Sequence, residues 1–161
     1  IITGCCSPTV ARRSIDWQVL LAIAAAVGIG GAMDLTGSAA VIAGVPVWLA
    51  QGNPWVTLAV VYLVTMVATE FITNVAAAAL MFPLAMSAAA GLDVNHMPFV
   101  IAVMMAASAS FSTPIGYQTN LMVYGPGGYR FTDYLRVGLP LGVLVWVITV
   151  VLAPMVWPFD S

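Results

Sequence analysis

Residues 55–91 read WVTLAVVYLVTMVATEFITNVAAAALMFPLAMSAAAG, two apolar arms separated by Thr69, Glu70, Thr73 and Asn74. A helix needs about 20 mainly apolar residues to cross a bilayer, and each arm falls slightly short of that. A break at membrane depth leaves backbone groups that lipid cannot satisfy, so it normally lines a cavity enclosed by protein. The stretch predicts either a re-entrant helical hairpin or two full spans, with its polar centre held inside the protein.

Composition places this hairpin in a membrane. The chain is 62% hydrophobic and 6% charged, whereas an ordinary soluble domain carries about a quarter charged residues. So few charges cannot solvate a globular surface. Lysine is absent and the basic residues are Arg12, Arg13, Arg130 and Arg136, which leaves no electrostatic footprint for nucleic acid. Cys5 and Cys6 are adjacent, too cramped for an ordinary disulfide framework and without metal-ligand partners at a suitable spacing. They read as buried apolar residues. The opening residues show neither an initiator Met nor a signal-peptide pattern, so the expectation is an excerpt from something longer. No Ser/His, paired-carboxylate or metal-ligand constellation is present, and an enzyme is not expected.

Outward from the hairpin, Pro, Gly and polar clusters divide the chain. A first span is expected over residues 16–35, ended by Asp34, Thr36 and Gly37, and a shorter interfacial helix over residues 38–51, where Trp48 favours the headgroup zone. After the hairpin at residues 55–91, a broken helix is expected over residues 97–134. Its first part runs from Met97 to Thr113, Pro114, Gly116, Gln118 and Asn120 interrupt it, and Leu121 to Tyr124 resumes it. A final span occupies residues 137–158. Gly125, Pro126, Gly127 and Gly128 form a turn, since the Lys and Ser/Thr of a phosphate loop are missing. The fold class is therefore an all-α, multi-spanning membrane protein with a re-entrant hairpin and a broken helix.

Charge placement constrains the crossings, because cytoplasmic flanks are enriched in Arg. Arg12 and Arg13 precede the first span, while Arg130 and Arg136 lie between the broken helix and the last. Both pairs share a side only if residues 55–91 cross zero or two times. Asp93, His96 and Asp160 then face the other side.

The two breaks carry the chemistry. Thr69, Glu70, Thr73 and Asn74 supply oxygens of the kind that suit a hard cation, and helices beginning just after Asn74 and Asn120 would point positive dipole ends into the same cavity, where an anion fits. Paired discontinuous elements of this kind point to the binding site of a secondary transporter. Thr and Asn also serve as glue between membrane helices. Glu70, the carboxylate deep in an apolar region, fits either a structural role at the bend or proton coupling. His96, beside Asp93, Asn95 and Pro98, reads as a loop histidine.

The stretch Thr69-Glu70-Phe71-Ile72-Thr73-Asn74, followed by an Ala-rich arm with Pro83, resembles the outer hairpin of the divalent anion/sodium symporters. Ser110-Phe111-Ser112-Thr113-Pro114-Ile115-Gly116-Tyr117-Gln118-Thr119-Asn120, continuing through Tyr124-Gly125-Pro126-Gly127-Gly128 to Asp133-Tyr134, is similar to the bacterial and algal branch that often carries TrkA-C domains. The resemblance implies a C-terminal half, the second inverted repeat of a carrier whose N-terminal half completes the site, in the cell membrane of a bacterium and usually in a dimer. It implies a sodium site from Thr69, the Ile72 carbonyl, Asn74 and the Gly116 carbonyl. Substrate contacts would come from Thr73, Asn74 and Val75, with Gln118, Thr119 and Asn120 from the second break. Family members carry Ser-Asn-Thr at the tip, and the missing hydroxyl at Val75 favours an inorganic anion such as sulfate over a dicarboxylate. Gln118 and Thr119 replace prolines common in the dicarboxylate branch. Sodium is expected as the coupling ion, with no other cofactor. The alternatives are a proton-coupled carrier or antiporter using Glu70 and a non-transporting membrane sensor or scaffold.

Overall fold

The computed structural model describes residues 50–160 continuously and, ahead of them, residues 7, 9–10, 21, 24–25, 28–29, 31–32, 35–38, 42 and 48. Cys5, Cys6, Arg12 and Arg13 lie outside the described residues, as do most of the span expected over 16–35 and of the interfacial helix expected over 38–51. Among the described residues the regular structure is helical throughout.

Within residues 50–160, five helices follow from local signals. The first, α1, runs Pro54–Thr69. Pro54 stands in its first turn, where no amide is required, and the Asn53 side chain accepts from the Trp55 amide at 2.9 Å. After four connecting residues α2 begins, Asn74–Gly91, capped by Thr73, whose hydroxyl accepts from the Ala76 amide at 3.3 Å. Asn95 Oδ1 accepts from the Met97 amide at 3.0 Å and starts α3, Met97–Ala107. A short α4, Gln118–Tyr124, follows the second break. The last helix, α5, is Phe131–Val156, and Asp133 holds its start by accepting from the Arg130 amide at 2.8 Å.

These bounds move three of the expected edges. The helix after Met97 stops at Ala107 instead of reaching Thr113, and it resumes at Gln118 instead of Leu121. Residues 131–134 belong to the last helix, because the Asp133 cap starts α5 earlier than position 137. The turn at residues 125–128 is present: Gly127 and Gly128 donate to the carbonyls of Val123 and Gly125, and Gly128 takes φ 63°, a conformation that costs glycine little.

α1, α2 and α3 pack against one another, and α5 packs on α1 and α3. Leu58, Val61, Tyr62, Met81, Ala85, Phe99, Ala102, Val103 and Ala106 form the buried core. Alanines on α2 and α3 let the backbones approach closely, the usual means of helix association in lipid. Two of the helices, α2 and α5, are long and apolar enough to cross a membrane, while α1 and α3 are shorter apolar helices.

The ends of the bundle differ. At one, Asn95 donates through its amide and its side chain to the carbonyls of Phe159 and Pro158 at 3.0 and 3.1 Å. The Phe159 ring meets Trp55 edge-on with centroids 5.5 Å apart and lies 6.1 Å from Phe99. This apolar clasp joins the starts of α1 and α3 to the end of α5. The opposite end is polar, and both breaks are there.

Candidate functional site

The α1–α2 turn and the loop between α3 and α4 are bonded into one unit. Thr69 Oγ1 donates to the Ala107 carbonyl at 2.7 Å, and Ser110 Oγ donates to the Thr69 carbonyl at 3.3 Å. Thr113 Oγ1 donates to the Glu70 carbonyl at 3.3 Å. Glu70 returns the contact with its side chain, Oε1 accepting from the Ser112 amide at 2.9 Å. These bonds are buried or partly buried, where an unpaired backbone group would be costly. Each irregular segment thereby satisfies the other, as lipid cannot.

Asn120 completes the loop from within. Its Nδ2 donates to the carbonyls of Ser110 and Thr113 at 3.0 and 3.1 Å, and the Tyr134 hydroxyl donates to the Asn120 carbonyl at 3.0 Å. Thr113 Oγ1 also accepts from the Gly116 amide at 3.1 Å. The loop is thus a closed hydrogen-bonded structure of residues 108–117 seated against the hairpin tip.

The expected sodium ligands fall into two groups. Thr69, fully buried, and Asn74 are adjacent, with Thr69 Oγ1 3.3 Å from Asn74 Oδ1. Gly116 is buried on the loop side, against Glu70, Ser110 and Thr113. Ile72 is on the exposed side of the turn, its amide bonded to the Ala68 carbonyl. Of the expected substrate contacts, Thr73, Val75, Gln118 and Thr119 are exposed at the tip and at the start of α4, while Asn120 is committed to bracing the loop. The amide ends of α2 and α4 are both at this end of the bundle. Three residues outside the expected set prove integral to the site: Ser110, Ser112 and Thr113. Their signal in the sequence is a run of hydroxyls immediately before Pro114.

A family model described as citrate transporter matches residues 1–161. An uncharacterized transporter of Synechocystis is 40% identical over 161 residues, 98% of this chain and 26% of the relative. A Chlamydomonas reinhardtii protein named as a regulator of the sulfur deprivation response is 42% identical over 154 residues, 93% of this chain and 26% of the relative. Sodium/sulfate cotransporter 1 of the same alga is 37% identical over 150 residues, 92% of this chain and 17% of the relative. The chain thus spans about a quarter or less of the length of these relatives. No solved structure gives a significant match.

Proposed function

The chain belongs to the citrate transporter family, whose members are integral membrane transporters and not enzymes, and on that premise we propose that it is one half of a secondary active carrier for a divalent anion. In this reading sodium is the coupling ion, and sulfate or a similar inorganic anion is favoured over a dicarboxylate. The N-terminal half of the same carrier supplies the other half of the site, in a bacterial inner membrane and in a dimer. The observation that carries the proposal is the bonding of two broken elements into one oxygen-rich unit at the end of the bundle. Similarity to a protein named as a sodium/sulfate cotransporter supports the choice of ions.

The mechanism follows from charge. A divalent anion in a low-dielectric cavity is costly, and neighbouring cations offset the cost. Thr69, Asn74 and the carbonyls of Ile72 and Gly116 would hold sodium. Thr73, Asn74, Gln118 and Thr119, with the dipole end of α2, would face the anion, beside the methyl groups of Val75. Sodium binding orders the tip and the anion then completes the site, before the hairpin and its loop move together in alternating access.

The test is radiolabelled sulfate uptake by the full-length parent in proteoliposomes, with and without an inward sodium gradient and with succinate as competitor. Sodium-stimulated uptake that succinate leaves unchanged is the expected result, whereas strong succinate competition would restore a dicarboxylate substrate. A second reading, a proton-coupled carrier using Glu70, draws on the burial of that carboxylate and requires uptake driven by a pH gradient without sodium. A sensor, the role suggested by the sulfur-response relative, would show no flux in either buffer.

A further inference from the structure

One exposed face of α5 joins a charge to a length of apolar surface. Arg136 is exposed and makes no ion pair among the described residues. Asp133, the acid nearest to it along the helix, accepts from the Arg130 amide and forms no ion pair with the guanidinium. A cation beside lipid is costly unless it meets an anion at the membrane surface. At 3.6 residues per turn, Thr132, Arg136, Leu139, Pro140, Val143 and Val147 share one face of the helix, and all six are exposed. Helical side chains lean toward the start of their helix, so the Arg136 guanidinium is carried toward Thr132, whose hydroxyl makes no hydrogen bond among the described residues.

The helix sets the depth of this charge. From Val137 to Val156 α5 covers about 30 Å, the thickness of a bilayer's hydrocarbon core, which leaves Arg136 at the edge of that core. Beyond Arg136 the exposed apolar strip runs to Val147, about 17 Å and close to the depth of one leaflet. Farther along the same face Pro154 is buried, and the strip ends. We propose that this face binds one anionic phospholipid, its phosphate on Arg136 and Thr132 and an acyl chain along Leu139, Pro140, Val143 and Val147. An apolar protein helix docked here would bury the guanidinium unpaired, whereas a lipid phosphate supplies a counterion at the depth where the charge lies, in a geometry that suits the two-pronged guanidinium. The inference requires only that α5 crosses the membrane, and it holds whichever ion is carried.

The experiment is native mass spectrometry of the detergent-purified full-length parent, titrated with phosphatidylglycerol or with phosphatidylcholine of the same acyl chains. The parent is expected to hold one phosphatidylglycerol per copy at least tenfold more tightly than phosphatidylcholine. Arg136→Gln should abolish that preference, Arg136→Lys should largely retain it, and Thr132→Lys, which places a second cation on the face, should strengthen it. Arg130→Gln removes the same charge from a different side of the helix and should behave as the parent does. A parental preference in Arg136→Gln overturns the site, and an equal loss in Arg130→Gln overturns it in favour of diffuse attraction to anionic lipid. A parent that prefers neither lipid also overturns it, and means that protein covers this face. If Arg136→Gln cannot be purified, Thr132→Lys decides, since an unchanged preference in that variant is incompatible with a phosphate seated between the two positions.

Discussion

At the hairpin tip a single hydroxyl hydrogen has two acceptors. Thr69 Oγ1 is 2.7 Å from the Ala107 carbonyl and 3.3 Å from Asn74 Oδ1, and one hydrogen serves the shorter contact better. Asn74 is therefore held loosely, its amide free to turn toward a ligand, and removing it forfeits at most about 1 kcal/mol of hydrogen bonding. Asn74→Ala should leave the Tm of the detergent-purified parent nearly unchanged in the absence of sodium, yet abolish sodium-stimulated sulfate uptake. Retained sodium stimulation in that variant would remove Asn74 from the binding set. Glu70 shows where reading residues one at a time stops. Its isolation in an apolar stretch was visible in the sequence, and a structural role at the bend was one of the two roles it suggested. Its partner, the amide of Ser112, lies 42 positions away, and no local pattern announces that contact.

At the scale of elements, two glycines of α5 are set against different neighbours and should tolerate a methyl group differently. A β-carbon at Gly138 would collide with the Phe111 backbone and come within 2.8 Å of the Ser112 α-carbon, whereas at Gly142 its nearest neighbour is Met66 Sδ at 3.3 Å. Backbone fixed by the Glu70 contact cannot yield, and a methionine side chain can. Gly138→Ala should cost about 1–3 kcal/mol by overpacking, read as a lowered Tm of the full-length parent, while Gly142→Ala should stay within about 0.5 kcal/mol. Equal losses would mean that the loop is not seated on α5. The same contacts explain what the sequence hid. Pro54, Asn53, Thr73 and Pro98 mark helix starts and could be read directly, as could the existence of both breaks. The end of α3 could not, because Ala107 to Ser110 is compatible with continued helix. It stops there because the Ala107 carbonyl is taken by Thr69 and Ser110 turns to the Thr69 carbonyl, both tertiary bonds. The early start of α5 was legible in principle from Asp133 following Arg130, a capping signal outweighed by the apolar run that begins later.

At the scale of the whole molecule, a hairpin that turns back and two arms that cross predict different accessibility along the chain. With 26 residues α5 is about 39 Å long, against about 24 Å for the 16 residues of α1. The clasp of Phe159 with Trp55 sets the end of α5 level with the start of α1. Near the tip, Gly138 abuts Phe111 and Ser112, which Glu70 holds. Residues 131–137 therefore extend α5 by about 10 Å past its contact with Phe111 and Ser112. Placed in a membrane, Asn53 and Asp93 would face one side and Gly125 the other, with Phe71 recessed between them. Single cysteines at these four positions, in a full-length parent freed of its own cysteines, should react with an impermeant thiol reagent accordingly. Asn53→Cys and Asp93→Cys should label from one face and Gly125→Cys from the opposite face. Phe71→Cys, at a tip residue that is 76% exposed, should label from the Gly125 face, at least tenfold more slowly than Gly125→Cys, and should be protected by sodium with sulfate. Labelling of Phe71→Cys as fast as Gly125→Cys, indifferent to both ions, would mean that α1 and α2 cross completely. The overhang of α5 would then have to be explained by a bundle lying tilted in the bilayer.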